Sequence, residues 1–198
     1  MQAATLVLPI YNTHFLCIDY GDQDMNIESF SDRTKGFLQA AQTVAIRNSH
    51  QRVSPLHLLK ALLDDEQGMS AGLISKSGGD PKIAVQLTDQ ALAKIAQVTG
   101  SGAQEVAWDN DSVRVLTQAE DNAKKVGDSF VTVQQLLLAL ALSPGEAGTA
   151  LKTAGVTPQT LNEAIRDLTG GRTADTAGAE AQYDALKKFA QDLTEKAR

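Results

Sequence analysis

The sequence predicts an all-α fold built from two similar four-helix units that are related by a pseudo-twofold axis. The first observation behind this prediction is an internal repeat, because the apolar pattern of residues 37–62 returns in residues 115–140. The second is that a hydroxyl residue stands at the same place in both copies, as Ser54 and as Thr132. The third is that aromatic residues make up only 5% of the chain, which favours a core of closely packed aliphatic helices. Two such units packed together create a groove between them.

Four helices are expected in the first unit, at about residues 30–48, 55–63, 70–77 and 80–95. The first has apolar residues at i, i+1, i+4, i+7 and i+8 from Phe37, which is the spacing of one helix face. Ser54 and Pro55 supply an N-cap and a first-turn proline for the second helix, which is rich in leucine. The fourth helix is expected to bury an apolar stripe formed by Ile83, Leu87, Leu92 and Ile95.

The second unit is expected to repeat this order, with helices that open near Asp109, Thr132, Ser143 and Thr157. Thr132 and Gln135 have the spacing of a capping box, in which two side chains satisfy free N–H groups of the first helical turn. No segment alternates convincingly between apolar and polar residues, so no strands are predicted.

These patterns divide the chain into four parts. Residues 1–24 are expected to be an extension outside the fold, and residues 25–169 to form the domain, with repeat 1 at about 29–98 and repeat 2 at about 107–169. Residues 170–179 are rich in glycine, threonine and alanine, which is typical of a flexible linker. Residues 180–198 are expected to form a helix whose apolar seam is Tyr183, Leu186, Ala190 and Leu193. Either this helix folds back on the domain, or it begins a module that lies outside this chain.

Charge, hydrophobicity and cysteine content limit the classes of partner and the compartment that are expected. The net charge is −6 and no cluster of Lys or Arg is dense enough to bind phosphates, so nucleic acid is not an expected partner. The segment from Thr5 to Cys17 is too short and too polar to cross a bilayer, so no membrane partner is expected. Cys17 is the single cysteine and cannot form an internal disulfide, which favours a reducing compartment such as the cytoplasm.

The motifs that resemble catalytic or metal-binding sites lack the additional residues that such sites require. Residues 68–72 match G-x-S-x-G, but a leucine-rich helix precedes Ser70 and all three histidines lie earlier in the chain, whereas a nucleophile elbow follows a strand. Asp109, Asp111 and Glu120 fit three positions of a calcium loop whose turn glycine is missing. A pair of histidines, His50 and His57, has no second pair of metal ligands nearby, and there is no P-loop. We therefore predict no catalytic residues, no metal and no cofactor.

Residues 25–198 resemble the N-terminal domain of the Clp ATPase chaperones, a tandem of two Clp repeats, and are most similar to that of the ClpB-type disaggregase. The resemblance is carried by residues 30–45, 53–63, 127–131, 162–171 and 185–198. The last of these segments is similar to the start of that family's first ATPase module. The resemblance implies a mobile, all-helical domain that binds unfolded or aggregated polypeptide and passes it to an ATPase ring.

In that family the polypeptide binds in a shallow apolar groove with a polar border. The resemblance maps the polar border onto Ser31, Asp128 and Gln134, although relatives often carry an acidic residue at the last position. The apolar floor maps onto Leu116, Phe130 and Leu136, and each of these could equally be a core residue. Asp128 is expected on a solvent-facing turn, where its removal would weaken polypeptide capture without destabilising the domain.

Two other functions fit the same sequence. The groove could bind one specific folded adaptor as a regulatory module of a Clp protease ATPase, which a single saturable partner would indicate. The chain could also be a purely structural helical protein that assembles through the seam in residues 180–198. If the polypeptide-binding function is right, the acidic domain should favour basic, apolar segments, with affinity gained from linked copies on a ring.

Overall fold

The computed structural model describes residues 26–98 and 106–181. A short 3-10 helix (Ile27–Ser29) leads into the first repeat. The elements of the two repeats are, in chain order, α1 (Asp32–Arg47), β1 (Arg52–Val53), α2 (Pro55–Leu63), α3 (Met69–Lys76) and α4 (Pro81–Leu92), then β2 (Ala107–Trp108), α5 (Asn110–Val126), α6 (Val133–Leu142), α7 (Glu146–Thr153) and α8 (Pro158–Thr169). The all-α class and the two four-helix repeats predicted from the sequence are confirmed.

The two repeats exchange the segments that precede their first helices. Phe30, just before α1, pairs in parallel with Val131, just before α6. Trp108, just before α5, pairs in parallel with Val53, just before α2. Each aromatic residue therefore enters the opposite repeat, and both are buried. This reciprocal exchange is the clearest sign of the pseudo-twofold relation between the repeats.

Helices α2 and α6 lie in the middle of the domain and contact each other. They are the two most apolar helices, and each packs closely against the helix that precedes it in its own repeat, α1 or α5. Their leucines make up much of the fully buried core, which includes Leu58, Leu59, Leu62, Leu136, Leu137 and Leu140. Burial of aliphatic side chains at both faces explains why these helices lack the polar stripe of a surface helix.

The buried face of α4 differs from the predicted stripe. Helix α4 ends at Leu92, and its buried residues are Ala84, Thr88, Ala91 and Leu92. Ile83 is 41% exposed, so its expected place in the core is wrong. The small residues Ala84 and Ala91 face inward because α4 contacts both α2 and α7, where larger side chains would not fit between the helices.

Two further expectations concern strands and the chain ends. The strands β1 and β2 are two residues long, too short to show the alternation on which strand prediction depends. The expected extension at residues 1–24 and the seam at Tyr183, Leu186, Ala190 and Leu193 lie outside the described residues. Within the described ranges, no helix is long and apolar enough to cross a membrane.

Candidate functional site

The N-terminus of α1 lies against the turn that precedes α6. The Ser31 amide donates to the Val131 carbonyl (N···O 3.0 Å), and the Val131 amide donates to the Ser29 carbonyl (2.7 Å). Ser31 is the N-cap of α1, and its hydroxyl accepts a hydrogen bond from the Thr34 amide at 3.2 Å. The N-termini of α1 and α6 are therefore brought to one place by the exchange of entry segments between the repeats.

The N-terminus of α6 lacks the capping that the sequence predicts. The Thr132 side chain makes no cap hydrogen bond, and the Gln135 amide nitrogen donates instead to Asp128 at 3.2 Å. The predicted capping box is therefore wrong. In the first repeat, by contrast, the His57 ring at the equivalent position accepts a hydrogen bond from the Ser54 amide at 2.9 Å.

A carboxylate from much later in the chain caps α6. The Val133 amide donates to one oxygen of Glu180 at 2.8 Å, and the Ser31 hydroxyl donates to the other. Glu180 is only 1% exposed, so this carboxylate lies buried between the N-termini of α1 and α6. Free N–H groups and the helix dipole make such a place favourable for an anion.

The segment that carries Glu180 is also bound through its backbone. The amides of Ser129 and Phe130 both donate to the Ala174 carbonyl (3.1 and 3.2 Å), and the Asp32 amide donates to the Ala177 carbonyl (3.0 Å). We call residues 172–181 the docked segment. We call the surface that receives it, formed by Ser31, Asp32 and residues 128–133, the docking surface. Within residues 170–179, expected to be a flexible linker, Ala174 and Ala177 thus form hydrogen bonds with the domain in this structure.

Asp128 lies on the docking surface but is not the free, solvent-facing residue that the sequence suggested. Its side chain is half-buried, and one carboxylate oxygen accepts a hydrogen bond from the Ala174 amide at 2.8 Å. Its other oxygen accepts the hydrogen bond from Gln135. The expectation that Asp128 could be removed without a cost in stability is therefore corrected, because its carboxylate joins the turn, α6 and the docked segment.

We expect Asp128→Ala to lower the free energy of unfolding by about 1–2 kcal/mol, because two hydrogen bonds to a charged group are lost. Chemical denaturation of the two proteins measures this difference. Asp121→Ala is the matched control, since Asp121 is an exposed carboxylate near the end of α5. Equal stability of the Asp128 variant and the control would show that Asp128 has no structural role.

The other residues predicted for the site are mostly core. Leu116 and Leu136 are fully buried, whereas Phe130, in the turn before α6, is half-buried. Gln134 is 1% exposed and its amide nitrogen lies 3.5 Å from the Met69 sulfur of α3, while its carbonyl oxygen has no hydrogen-bond partner. In this structure Ser31 and Asp128 come together with Phe130 at the docking surface, whereas Gln134 is directed toward α3.

Sequence reasoning missed the most important groups of the site, Glu180 and the Val133 amide. One signal was available, because the position that is Pro55 in the first repeat is Val133 in the second. Proline at the first helical position has no N–H to satisfy, whereas valine presents one. That difference marks the N-terminus of α6 as the one that requires an acceptor from elsewhere.

A second, open cleft lies at the place that the internal repeat makes equivalent to the docking surface. This cleft has a volume of about 770 Å³ and lies at the N-termini of α2 and α5, where Pro55 and Asp109 are among its lining residues. Leu142 and Val98 also line it and are 48% and 38% exposed. Asp109 caps α5 with its own carboxylate, which accepts a hydrogen bond from the Ser112 amide at 2.7 Å. The second cleft therefore presents apolar surface with a carboxylate already in place.

The two histidines form a buried pair. His50 Nδ1 and His57 Nε2 lie 2.8 Å apart, and His57 Nδ1 accepts the hydrogen bond from the Ser54 amide. Burial and the neighbouring His50 lower the pKa of His57 to about 4. Burial also lowers the pKa of His50. Both rings are thus neutral near pH 7. His57 caps α2 and His50 contacts the His57 ring, which agrees with a structural role.

The lowered pKa of His57 predicts a loss of stability in mild acid. The unfolded chain takes up a proton on this residue below about pH 6.5, whereas the folded chain does so only near pH 4. Between about pH 7 and about pH 5 the His57 contribution should fall by about 2 kcal/mol. Urea unfolding at both pH values measures it. His57→Gln keeps an N3 residue suited to a capping box and should reduce the pH dependence by this amount, and an unchanged pH dependence would contradict the prediction.

The G-x-S-x-G motif at residues 68–72 does not form a catalytic arrangement in the structure. Ser70 lies within α3 and not after a strand, and its hydroxyl is buried without a hydrogen-bond partner. The partners of His57 are His50 and Ser54. No group of three His, Cys, Asp or Glu residues suited to a metal ion occurs in residues 26–98 and 106–181.

Solved structures with the same fold include the N-terminal domains of Hsp104 and ClpV. The Hsp104 N-terminal domain from Candida albicans superposes with a TM-score of 0.68 at 22% identity, covering 76% of this chain and 98% of that one. A ClpV N-domain in complex with a VipB peptide superposes with a TM-score of 0.56 at 19% identity, covering 75% and 91%. At these identities the likeness shows the shared fold.

Sequence comparison identifies the family. The chain is 52% identical over 175 residues to the chaperone protein ClpB of Rhodopseudomonas palustris and 54% identical over 175 residues to that of Agrobacterium fabrum. Each match covers 88% of this chain and 20% of the relative, so the chain spans about a fifth of the length of these proteins. Residues 29–154 match the family described as the Clp repeat (R) N-terminal domain. The chain therefore belongs to the Clp N-terminal domain family and is similar to the N-terminal region of the ClpB chaperones.

Proposed function

We propose that this chain is the polypeptide-docking domain of a protein-disaggregating ATPase and that its docking surface binds segments of unfolded or aggregated polypeptides. The observation that carries the proposal is that this surface already binds residues 172–178 of the docked segment, which are not helical, through backbone hydrogen bonds. The amides of Asp32, Ser129 and Phe130 donate to carbonyl groups of the docked segment. Because every polypeptide has carbonyl groups, such donors bind without regard to sequence.

Family membership supports the same function. The relatives at 52–54% identity are chaperones, and a ClpV N-domain with this fold has been solved with a peptide bound. A binding domain needs no catalytic group of its own, and the ATPase activity would belong to other parts of the longer relatives. The weak binding expected of a small surface would be strengthened if several copies were linked on a ring.

The proposal is tested by comparing an unfolded protein with its folded form. Fluorescence anisotropy with reduced, carboxymethylated α-lactalbumin should show saturable binding, whereas native α-lactalbumin should show none. Leu142→Asp changes an exposed residue of the second cleft and should leave this binding unchanged. Equal binding of both forms of α-lactalbumin, or of neither, would contradict the proposal.

The second cleft favours a second function, the binding of a folded adaptor. It is an apolar cleft of about 770 Å³ in which Leu142 and Val98 are partly exposed. A folded partner would insert apolar side chains there, and Leu142→Asp would weaken its binding. Capture of one saturable folded protein that Leu142→Asp releases, with no binding of unfolded α-lactalbumin, would favour this function over the first.

A further inference from the structure

We propose that the docked segment is an intramolecular ligand that competes with polypeptides for the docking surface, and that the best competitors carry a glutamate or aspartate where Glu180 now lies. This inference rests on the proposed function and adds to it a means of regulation and a preference among substrates. It is based on the contacts that the buried Glu180 carboxylate and the docked segment make with the docking surface.

The carboxylate is held where two helices begin. Glu180 accepts hydrogen bonds from the Ser31 hydroxyl and from the Val133 amide, and both donors belong to helix N-termini. The Ser31 side chain is fully buried, so it is aimed at the carboxylate and not at solvent. The positive ends of the α1 and α6 dipoles add to this attraction. The place therefore selects a negatively charged side chain.

The equivalent place in the other repeat is closed to a carboxylate. Pro55 takes the position of Val133 and has no amide hydrogen to donate. Asp109 takes the position of Ser31 and supplies its own carboxylate to the α5 N-terminus. The preference for an acidic ligand is thus specific to the docking surface, and it is opposite to the basic preference that the net charge alone suggested.

The docked segment is held in a manner that permits exchange. Its backbone makes hydrogen bonds to Asp32, Ser129 and Phe130, which any other polypeptide could replace. Its buried apolar residues are alanines, Ala174 and Ala179, which bury little apolar surface. A competitor that forms the same backbone hydrogen bonds would therefore have to replace only a small apolar contact.

The first experiment tests whether Glu180 holds the segment. Amide hydrogen exchange is measured on the full chain, its Glu180→Ala variant and its Asp175→Ala variant. Asp175 is the matched control because it is an exposed carboxylate in the same segment. Glu180→Ala should speed exchange at the Asp32, Phe130 and Val133 amides, whereas Asp175→Ala should not. Unchanged protection in the Glu180 variant would overturn the proposal.

The second experiment tests competition and the acidic preference. A fluorescent peptide of residues 171–181 and the same peptide with Glu180→Gln are titrated into each full-length chain. We expect the acidic peptide to bind the Glu180→Ala chain about fivefold or more tightly than the unmodified chain, because the surface is no longer occupied by its own segment. Asp175→Ala should bind like the unmodified chain. The Gln peptide should bind the Glu180→Ala chain about fivefold more weakly than the acidic one.

Val133→Pro tests the contribution of the Val133 amide, which donates a hydrogen bond to the carboxylate. It removes the α6 amide hydrogen and replaces the buried Val133 side chain with a proline ring, at a position where the first repeat has proline. Thr132 before it has the extended backbone that proline requires. This chain should lose its preference for the acidic peptide over the Gln peptide. Circular dichroism and thermal melting confirm that each variant is folded before the titrations are interpreted.

The outcomes distinguish this proposal from the proposed function. Equal affinity of the acidic peptide for the unmodified and Glu180→Ala chains, or equal affinity of both peptides for the Glu180→Ala chain, would overturn the proposal even if unfolded α-lactalbumin binds. If the peptide results are as expected but unfolded α-lactalbumin neither binds nor displaces the peptide, the intramolecular docking stands and the proposed function fails. Displacement of the peptide by unfolded α-lactalbumin would support both.

Discussion

Replacing Leu59 with alanine should lower the free energy of unfolding by about 2–5 kcal/mol, because the change leaves a cavity in a close-packed core. Leu59 is fully buried in α2, the helix that contacts α1, α4 and α6. Loss of its side chain should weaken both repeats together. Chemical denaturation with a two-state analysis measures the effect.

The matched control is Ile83→Ala, which removes an aliphatic side chain of the same size from α4. The periodicity of the sequence placed Ile83 in the core, but the structure leaves it 41% exposed. Its replacement should cost less than about 1 kcal/mol. A larger loss for Ile83→Ala than for Leu59→Ala would mean that the helix faces are assigned wrongly.

Gly148→Ala should be destabilising by about 3 kcal/mol because the added methyl group has no space. A Cβ atom at this position in α7 would lie 2.0 Å from the Ser143 carbonyl oxygen and 3.1 Å from that of Leu140. Both are backbone atoms, so relief requires α7 to move away from the end of α6. A thermal melt of the variant measures the loss.

Gly72→Ala makes the same chemical change where there is room. Gly72 lies within α3, and beyond the backbone of that helix and its chain neighbours no heavy atom lies within 4 Å of the place that an added methyl group would take. This variant should be about 0.5–1 kcal/mol more stable, because alanine restricts the unfolded chain and favours the helix. Equal effects of the two substitutions would contradict the packing of α7 against the end of α6.

The repeat was the part of the fold that the sequence predicted best. Apolar periodicity and the spacing of Ser54 and Thr132 depend on local helix formation, which the tertiary structure preserves. The faces of α4 were less predictable, since a helix between two others can bury Ala84 and Ala91 and leave Ile83 exposed. Periodicity reports which residues share a face, but packing decides which face is buried.

The candidate site was predicted only in part, because its chemistry is long-range. Ser31 and Asp128 were placed by resemblance, and the structure brings both to one surface. The acceptor for α6 comes from Glu180, which lies 47 residues after Val133 in the chain. A capping box is a local pattern, so Thr132 and Gln135 fitted it equally well whether or not a more distant carboxylate was available.

The most direct test of the central claim is to map where an unfolded polypeptide binds. Amide resonances of the chain are followed by NMR while unlabelled reduced, carboxymethylated α-lactalbumin is added. We expect the largest changes at Asp32, Ser129, Phe130 and Val133, the amides that now bind the docked segment. Changes confined to Val98 and Leu142 in the second cleft, with the docking surface unaffected, would contradict the claim.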